Sequence, residues 1–465
     1  MPSVSTNDSF STRAGFLLAT IGAAVGLGNL WKFPYMLGSN GGGAFVLIYL
    51  VAIALIATPV MIGEMMIGKY GRGSAPKSLS LMAAEVGASD RWKYVGWLGI
   101  ITLFLVLSFF SVIAGWSIAY VFKTLAGTFS GMSPAEVGGH FNDFLHRPWT
   151  LVVWHAVFMS LVVFTIARGV KSGIERGIMV TMPALFVMLV GLVVYGMFAG
   201  NFAEALAYLF TPDLSRITPE VTLSAFGQAF FSVNVGVGTI LTYAAYLPKD
   251  TDLIRSSVVI GIGDTAVALL AGLMIFPIVF AYGLNPGEGP GLIFVTLSTA
   301  FGSMPGGSVI GALFFLLVFF AAYSSAISML EVCVARFAER DGVSREKASV
   351  VAGIVIFFVG FITLGSFNWM EDVRLLGGIE RFANMTPFDL LDFAITNILM
   401  PVGAMLYAIF IGWFITEKLA LEVLEIENGP GLKFLRFLMR FVVPIAILAI
   451  FVFNLSPGIF AALFG

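Results

Sequence analysis

The chain has 465 residues, of which 58% are hydrophobic and only 11% are charged, and its formal net charge is −2. A soluble globular domain carries about 25% charged residues. This composition therefore excludes a soluble globular domain and indicates a helical protein that crosses a membrane many times. The net charge gives no indication of a nucleic-acid partner, and a single cysteine excludes an internal disulfide bond. The lipid bilayer is therefore the expected environment of the chain.

Apolar segments of membrane-spanning length follow one another along the sequence. About 20 such residues cross a bilayer, and on that scale we predict eleven spans, near 13–37, 43–68, 95–126, 149–167, 177–200, 221–246, 254–283, 308–336, 348–366, 387–416 and 434–463. We expect one transmembrane domain over residues 1–465. Spans 1 to 5 (about 13–200) are expected to repeat as spans 6 to 10 (about 221–416), with span 11 outside the repeat.

The distribution of lysine and arginine predicts the orientation of these spans. With the N-terminus in the cytoplasm, six of the 25 basic residues fall outside, namely Lys32, Lys123, Arg147, Arg216, Arg374 and Arg381. The others lie inside, which satisfies the positive-inside rule. Residues 1–12 lack the basic and apolar regions of a cleaved signal peptide, so span 1 is expected to remain. An odd number of spans places the C-terminus outside.

Two glycine-rich stretches interrupt matching spans in the two halves. Residues 25–29 read VGLGN in span 1, and residues 235–239 read VGVGT in span 6. Glycine costs a helix about 1 kcal/mol per residue against alanine, and backbone leaves its helix in hydrocarbon only where it is buried in protein or lines a cavity. A matched pair of broken helices predicts the binding site of a secondary transporter. Close helix packing through Gly22 and Gly26 is the alternative, but it leaves the repetition unexplained.

Polar side chains recur in the spans that would surround these breaks. They are Gln228 and Ser232 in span 6, Ser324, Ser325 and Ser328 in span 8, and Asp389 and Asp392 at the start of span 10. Taken singly, each has an ordinary structural explanation, since serine often bonds back to its own helix and a carboxylate often caps a helix start. All of these residues are expected to lie near the two breaks, and this shared location favours a binding site.

The run from Gly22 to Pro34, GAAVGLGNLWKFP, resembles the neurotransmitter:sodium symporter family in its bacterial amino-acid branch, and the resemblance covers spans 1 to 10. It implies an all-α fold with a 5+5 inverted repeat, in which helices 1 and 6 are broken at midplane. It also implies a sodium-coupled symporter in the bacterial inner (plasma) membrane. The expected cargo is a small neutral amino acid, hydrophobic or aromatic, moved by alternating access without an organic cofactor or catalysis.

The resemblance implies two sodium sites. The first comprises Ala24, Asn29, Ser232 and Asp264, completed by the carboxylate of the substrate. The second comprises the carbonyl groups of Gly22, Val25 and Ala321 and the hydroxyl groups of Ser324 and Ser325. Hard oxygen ligands suit a hard cation, and a carboxylate shared between ion and substrate would couple their binding.

The same resemblance implies a substrate pocket and two gates. The pocket residues are Ala24, Gly26, Leu27, Gly28, Val106, Phe110, Phe231, Ser232, Asn234, Val237, Ser325 and Met329. The outer gate is Lys32 with Asp392, covered by Phe231, and the inner gate includes Tyr246 and Glu339. Lysine lacks the bidentate fork of the usual arginine, so we expect a looser outer gate with bridging water.

Several positions depart from the family pattern. Phe110 replaces a tyrosine whose hydroxyl binds the substrate carboxylate, and phenylalanine has no donor; a non-α-amino acid or another small carboxylate or zwitterion therefore stays open as the substrate. Asn7 and Phe10 replace the basic residue and the tryptophan of the inner latch, which favours easier inward opening. Asp264 stands where asparagine is usual, and Ala268 where chloride-dependent members have serine, so we expect chloride independence.

Other classes of membrane protein are less well supported. The sequence has no His-Glu-x-x-His or Gly-x-Ser-x-Gly motif that would indicate an intramembrane enzyme. A channel needs a continuous polar lining, whereas the polar residues here collect between apolar ends. A non-transporting membrane receptor remains the competing functional class.

Overall fold

The computed structural model describes residues 9–248, 251–286 and 289–455. Within these ranges the regular structure is entirely helical. In the described part of the chain, nine helices are long and apolar enough to cross a membrane, namely Gly43–Gly71, Asp90–Leu125, Pro148–Ala167, Val170–Ala199, Leu253–Ala281, Gly307–Ala338, Arg345–Ser366, Pro387–Phe414 and Pro430–Phe453. They correspond to spans 2 to 5 and 7 to 11. The predicted end of span 11, 456–463, lies outside the described residues.

Spans 1 and 6 each consist of two shorter helices. Span 1 is formed by Arg13–Ala24 and Gly28–Ser39, which are bent by 49° relative to each other. Span 6 is formed by Pro219–Val233 and Thr239–Ala245, with five residues between them. The two broken helices predicted from the glycine-rich stretches are therefore confirmed.

The breaks follow from local backbone geometry. The first half of span 1 ends at Ala24, and Val25 is extended, with φ −67° and ψ 109°. In span 6, Asn234 ends the helix with φ +58°, and Gly236 and Gly238 follow with φ +86° and +81°. Glycine adopts positive φ without steric cost, whereas a β-carbon resists it. Gly236 and Gly238, the two glycines of VGVGT, thus permit the break in the helix that the sequence predicted.

Short helices lie between the spans. They are Ala75–Glu85, Pro134–Leu145, Phe202–Phe210, Thr296–Ser303 and Glu417–Leu424. Residues 127–148 and 201–220, which lie between the predicted spans, therefore contain helical segments. In Pro134–Leu145 a capping box between Ser133 and Glu136 fixes the start of the helix, because each side chain binds the backbone N–H of the other.

The broken helices are enclosed by other spans. Span 1 packs against spans 5, 7 and 8, and span 8 lies along span 3. Small residues allow the closest approaches: a β-carbon on Gly236 would lie 2.7 Å from the Cα of Ala404 in span 10. Such close contacts are typical of helix packing in membranes. The broken segments are thus buried in protein, as backbone outside a helix requires at this depth.

Candidate functional site

One cluster of oxygen atoms lies between spans 1 and 8. The hydroxyl oxygen of Ser325 is 3.1 Å from the Val25 carbonyl oxygen and 3.5 Å from that of Gly22. The hydroxyl oxygen of Ser324 is 3.5 Å from the Val25 carbonyl and 3.0 Å from that of Ala321. These distances show that the structure brings together the whole predicted second sodium set. All five residues are buried.

The end of the first half-helix explains why carbonyl oxygens are available there. The last four carbonyl groups of a helix have no partner within it, and they carry the negative end of the helix dipole. Gly22 and Val25 lie at this end. Neutral oxygen ligands around a buried point suit a small hard cation. No group of three or more His, Cys, Asp or Glu side chains that suits a metal ion occurs in the described ranges.

A second polar cluster surrounds Asp264 in span 7. Its carboxylate accepts hydrogen bonds from the Asn29 amide at 2.8 Å, the Ser232 hydroxyl at 2.6 Å and the Tyr49 hydroxyl at 3.3 Å. Asn29 and Ser232 also contact each other, with 3.0 Å between the amide nitrogen and the hydroxyl oxygen. Ala24, the remaining predicted member, is buried at the adjacent end of the half-helix. The cluster brings together the carboxylate, amide and hydroxyl side chains predicted for the first sodium site, with the Asn29 amide nitrogen facing Asp264 and the Asn29 amide oxygen accepting from the Gly26 backbone N–H at 3.2 Å.

The predicted pocket residues are buried, except for Phe231, which is partly exposed. A β-carbon on Gly26 would lie less than 3.0 Å from the Ser325 hydroxyl oxygen, and one on Gly28 would lie 3.2 Å from the Phe231 ring. The two glycines therefore keep the broken segment close to spans 6 and 8. Phe110 and Met329 belong to spans 3 and 8, which lie along each other.

Asn234 presents an unpaired donor at the break of span 6. Its side chain is buried, and its amide nitrogen has no hydrogen-bond partner in the structure. A buried donor without a partner costs about 1–3 kcal/mol. An acceptor group on a ligand in this region would remove that cost, so Asn234 is a candidate contact for a polar substrate.

At the outer gate, Lys32 contacts an aromatic ring. Its ammonium nitrogen lies 4.0 Å from the centroid of the Phe231 ring. The ion pairs closer than 4.0 Å within the described ranges do not include one between Lys32 and Asp392. Asp392 instead accepts a hydrogen bond of 3.1 Å from the Thr396 hydroxyl. Phe231, predicted as the lid, therefore interacts directly with the gate cation.

At the inner end, the two predicted gate residues bind different partners. The Tyr246 hydroxyl donates to the Glu331 carboxylate at 2.7 Å, and Arg345 contacts the same carboxylate. Glu339 accepts hydrogen bonds from the backbone and hydroxyl of Ser74, at 2.7 and 2.6 Å. The sequence reasoning did not identify Glu331 and Arg345. An acidic residue inside an apolar span is itself a signal of function, and that signal was available for Glu331.

Phe10 occupies a buried position at this inner end. Its backbone N–H donates to the Tyr246 carbonyl at 3.2 Å, and its ring lies 5.7 Å from the Tyr243 ring in edge-to-face geometry. The residue that replaces the family tryptophan thus still covers the inner side of span 6. Asn7, the other replacement in the latch, lies outside the described residues.

Glu64 in span 2 is a second residue that the sequence reasoning missed. Its carboxylate accepts hydrogen bonds from the backbone N–H groups of Gly236 at 2.7 Å and Gly238 at 3.4 Å. It therefore satisfies donors that the break in span 6 leaves without helical partners. The cost of an acid within hydrocarbon was again the available signal.

Span 5 covers the oxygen cluster between spans 1 and 8 from one side. A β-carbon on Gly22 would lie 3.1 Å from the Met182 sulfur. The inner end of this span forms a π-helical turn over Val170–Glu175, and the α-helix continues with Pro183 inside it. Gly173 and Pro183 thus flank the segment that carries Met182.

The chain is similar in sequence to sodium-dependent transporters. A family model described as the sodium:neurotransmitter symporter family matches residues 7–135 and 136–458. The chain is 39% identical to an uncharacterized sodium-dependent transporter of Bacillus subtilis, YhdH, over 95% of this chain and 96% of that protein. It is 32% identical to an uncharacterized sodium-dependent transporter of Haemophilus influenzae, over 96% and 98% of the two chains.

A solved structure has the same fold. The crystal structure of MhsT in complex with L-phenylalanine superposes with a TM-score of 0.86 at 40% sequence identity. The match covers 96% of this chain and 99% of MhsT. Agreement over nearly the full length of both chains extends the likeness to all the spans that form the site.

Proposed function

The chain belongs to the sodium:neurotransmitter symporter family, and from that premise we propose that it imports a small neutral amino acid, hydrophobic or aromatic, together with sodium. It is a sodium-dependent membrane transporter with many apolar helices. We assign the N-terminus to the cytoplasm and the C-terminus to the outside of a bacterial inner membrane.

The observation that carries the proposal is the position of two oxygen clusters on one broken segment. Val25 faces the Ser324–Ser325 cluster, while Asn29 faces the Asp264 cluster. Each cluster would bind one sodium ion, and the substrate would lie beside Gly26 between them. Because ions and substrate then share this segment, binding of one favours binding of the others.

Two sodium ions supply enough free energy for accumulation. At 100 mV, moving one charge across the membrane contributes about 2.3 kcal/mol, so two ions contribute about 4.6 kcal/mol. Since about 1.4 kcal/mol corresponds to a factor of ten, the potential alone supports accumulation on the order of a thousandfold. A sodium gradient adds to this value.

The pocket favours a substrate that brings its own carboxylate. No aspartate stands at position 26 to hold an amine, and Ser325 leaves no room for a side chain there. The carboxylate would complete the first sodium site, and the unpaired amide of Asn234 would offer a donor in place of the missing tyrosine hydroxyl. Bound L-phenylalanine in MhsT supports an aromatic or large apolar amino acid here.

Chloride independence is part of the proposal. The hydroxyl groups of Tyr49 and Ser232, which would otherwise help to bind an anion, donate to the Asp264 carboxylate. A fixed negative charge therefore occupies the region where chloride-dependent relatives bind their ion. A sodium ion in the first site would offset the cost of burying this carboxylate, which is several kcal/mol when the charge is unpaired.

Uptake by reconstituted protein tests the function. We expect L-phenylalanine to accumulate in vesicles under an inward sodium gradient, and not under an equal potassium gradient or in protein-free vesicles. Uptake restricted to ω-amino acids or other small carboxylates would replace the proposed substrate by the alternative class. Sodium-dependent binding without uptake of any tested compound would favour a non-transporting receptor.

A further inference from the structure

A cavity of about 470 Å³ lies between the inner halves of spans 3, 8 and 9. Its volume is in the range of small-molecule sites in proteins, but it is far from the broken helices in sequence and contains none of the proposed transport residues. Its walls are almost wholly apolar and include Ile101, Phe104, Val351 and Val355. The transport mechanism proposed above does not account for it.

The cavity opens toward the lipid. Ile101, Val351 and Val355 are about half exposed, at 51%, 52% and 46%, whereas Cys333 and Ala352 form a buried floor. Along span 9, the lining extends from Lys347 to Val355, which is about 12 Å at the helical rise per residue. One leaflet has about 15 Å of hydrocarbon. The groove therefore has the depth and chemistry of an acyl-chain site in a single leaflet.

The charged lining residues lie at one end of the groove. They are Arg340, directly after span 8, and Lys347, in the first turn of span 9, and the lining contains no carboxylate. Both side chains are exposed. The Arg340 guanidinium lies 5.7 Å from the centroid of the Phe337 ring, which directs it along the apolar wall.

These two cations differ from their neighbours in their partners. Arg336 pairs with Glu339 at 3.5 Å, and Arg345 pairs with Glu331. The ion pairs within 4.0 Å in the described part of the chain include neither Arg340 nor Lys347. Two unpaired cations at the headgroup end of an apolar groove match the chemistry of an anionic phospholipid.

We propose that this groove binds phosphatidylglycerol or another anionic phospholipid of the same leaflet. One acyl chain would lie against Phe104 and Val351, and the phosphate would accept charge-assisted hydrogen bonds from Arg340 and Lys347. The lipid would cover the part of span 8 that lies between spans 3 and 9. Span 8 also carries the Ser324–Ser325 cluster. The inference concerns lipid binding and holds whatever the transported substrate is.

Lipid retention tests the proposal. The full-length protein is incubated in vesicles of phosphatidylcholine and phosphatidylglycerol, purified in detergent, and its bound lipid is measured by mass spectrometry. We expect retained phosphatidylglycerol to exceed phosphatidylcholine, and the Arg340→Gln, Lys347→Gln double variant to lower that preference on the order of tenfold. Lys418→Gln, Lys433→Gln is the matched control, because both lysines are exposed, lie between spans 10 and 11 or at the start of span 11, and do not line the groove.

A second pair of variants tests the apolar part. Val351→Trp fills the groove while leaving both cations, so we expect it to lower retention of phosphatidylglycerol, whereas Val350→Trp, on an exposed neighbour that does not line the groove, should not. Equal retention in the wild type and the Arg340, Lys347 double variant would overturn the headgroup site. Unchanged retention of phosphatidylglycerol in Val351→Trp would overturn the acyl-chain site. If that variant also dissociated a dimer of the protein, a second copy of the chain would be the occupant of the groove instead.

Discussion

Gly26 and Ser325 are in direct contact across the break of span 1: a β-carbon on Gly26 would lie less than 3.0 Å from the Ser325 hydroxyl oxygen. The same hydroxyl oxygen lies 3.1 Å from the Val25 carbonyl, in the cluster proposed to bind sodium. One serine therefore excludes a side chain from the proposed substrate pocket and contributes to the proposed cation site. A change at either residue should alter both substrate binding and sodium dependence.

Adding a methyl group at position 26 should lower the apparent sodium affinity. In Gly26→Ala, the new β-carbon displaces the Ser325 hydroxyl, so the sodium concentration for half-maximal uptake should rise on the order of tenfold, as a loss of about 1.4 kcal/mol requires. Sodium titration of L-phenylalanine uptake measures this change. Gly191→Ala is the control, since a β-carbon there meets nothing within 4 Å; equal behaviour of the two variants would contradict the coupling.

Removing both hydroxyl groups of the span 8 cluster should abolish sodium-driven uptake. The Ser324→Ala, Ser325→Ala double variant leaves a buried cation short of two ligands, at a cost of several kcal/mol. Ser328→Ala is the control, because the Ser328 hydroxyl donates to the Ser325 carbonyl at 2.6 Å and is not a proposed ligand. Normal uptake with unchanged sodium dependence in the double variant would remove the assignment.

Chloride should have no effect on the unmodified transporter. Uptake in gluconate should equal uptake in chloride, because Asp264 already supplies the negative charge that Tyr49 and Ser232 bind. Asp264→Asn should lose activity or become sensitive to chloride. A strong chloride dependence of the wild-type protein would overturn this view of the Asp264 cluster.

A larger side chain at position 237 should reduce the uptake of large substrates selectively. Val237 is buried at the break of span 6 and belongs to the proposed substrate pocket. Val237→Phe should lower the uptake of L-phenylalanine more than that of alanine or glycine, because the added ring occupies volume needed only by the larger substrate. Parallel uptake series for the three amino acids measure the effect, and equal losses for all of them would count against it.

The hydrogen bond between Tyr246 and Glu331 should hold the inner side closed. A hydrogen bond to a charged group contributes about 1.5–3 kcal/mol, so Tyr246→Phe should raise the inward-open population by a factor of ten or more. A cysteine at Ala19, which is fully buried here, reports this opening by maleimide labelling in a Cys333→Ala background. Tyr70→Phe, which removes an exposed Tyr70–Glu85 hydrogen bond, should leave the labelling rate unchanged.

The sequence by itself determined the features that depend on short stretches of chain. Apolar length determined the spans, because hydrocarbon thickness sets how many residues must be apolar. The glycine-rich stretches indicated the breaks in spans 1 and 6, and in span 6 the positive φ at Gly236 and Gly238 is a local backbone property. The run from Gly22 to Pro34 was long enough to indicate the family before any contact was known.

Only the tertiary structure decided which distant side chains meet. Glu64 caps the break of span 6 from 172 positions away, and the hydroxyl of Ser325 reaches Val25 across 300 positions. Arg345 pairs with Glu331, whereas Glu339 pairs with Arg336 and accepts hydrogen bonds from Ser74. The choice of partner depends on helix rotation and packing, which bring one donor within hydrogen-bond distance of a buried acceptor and exclude the rest.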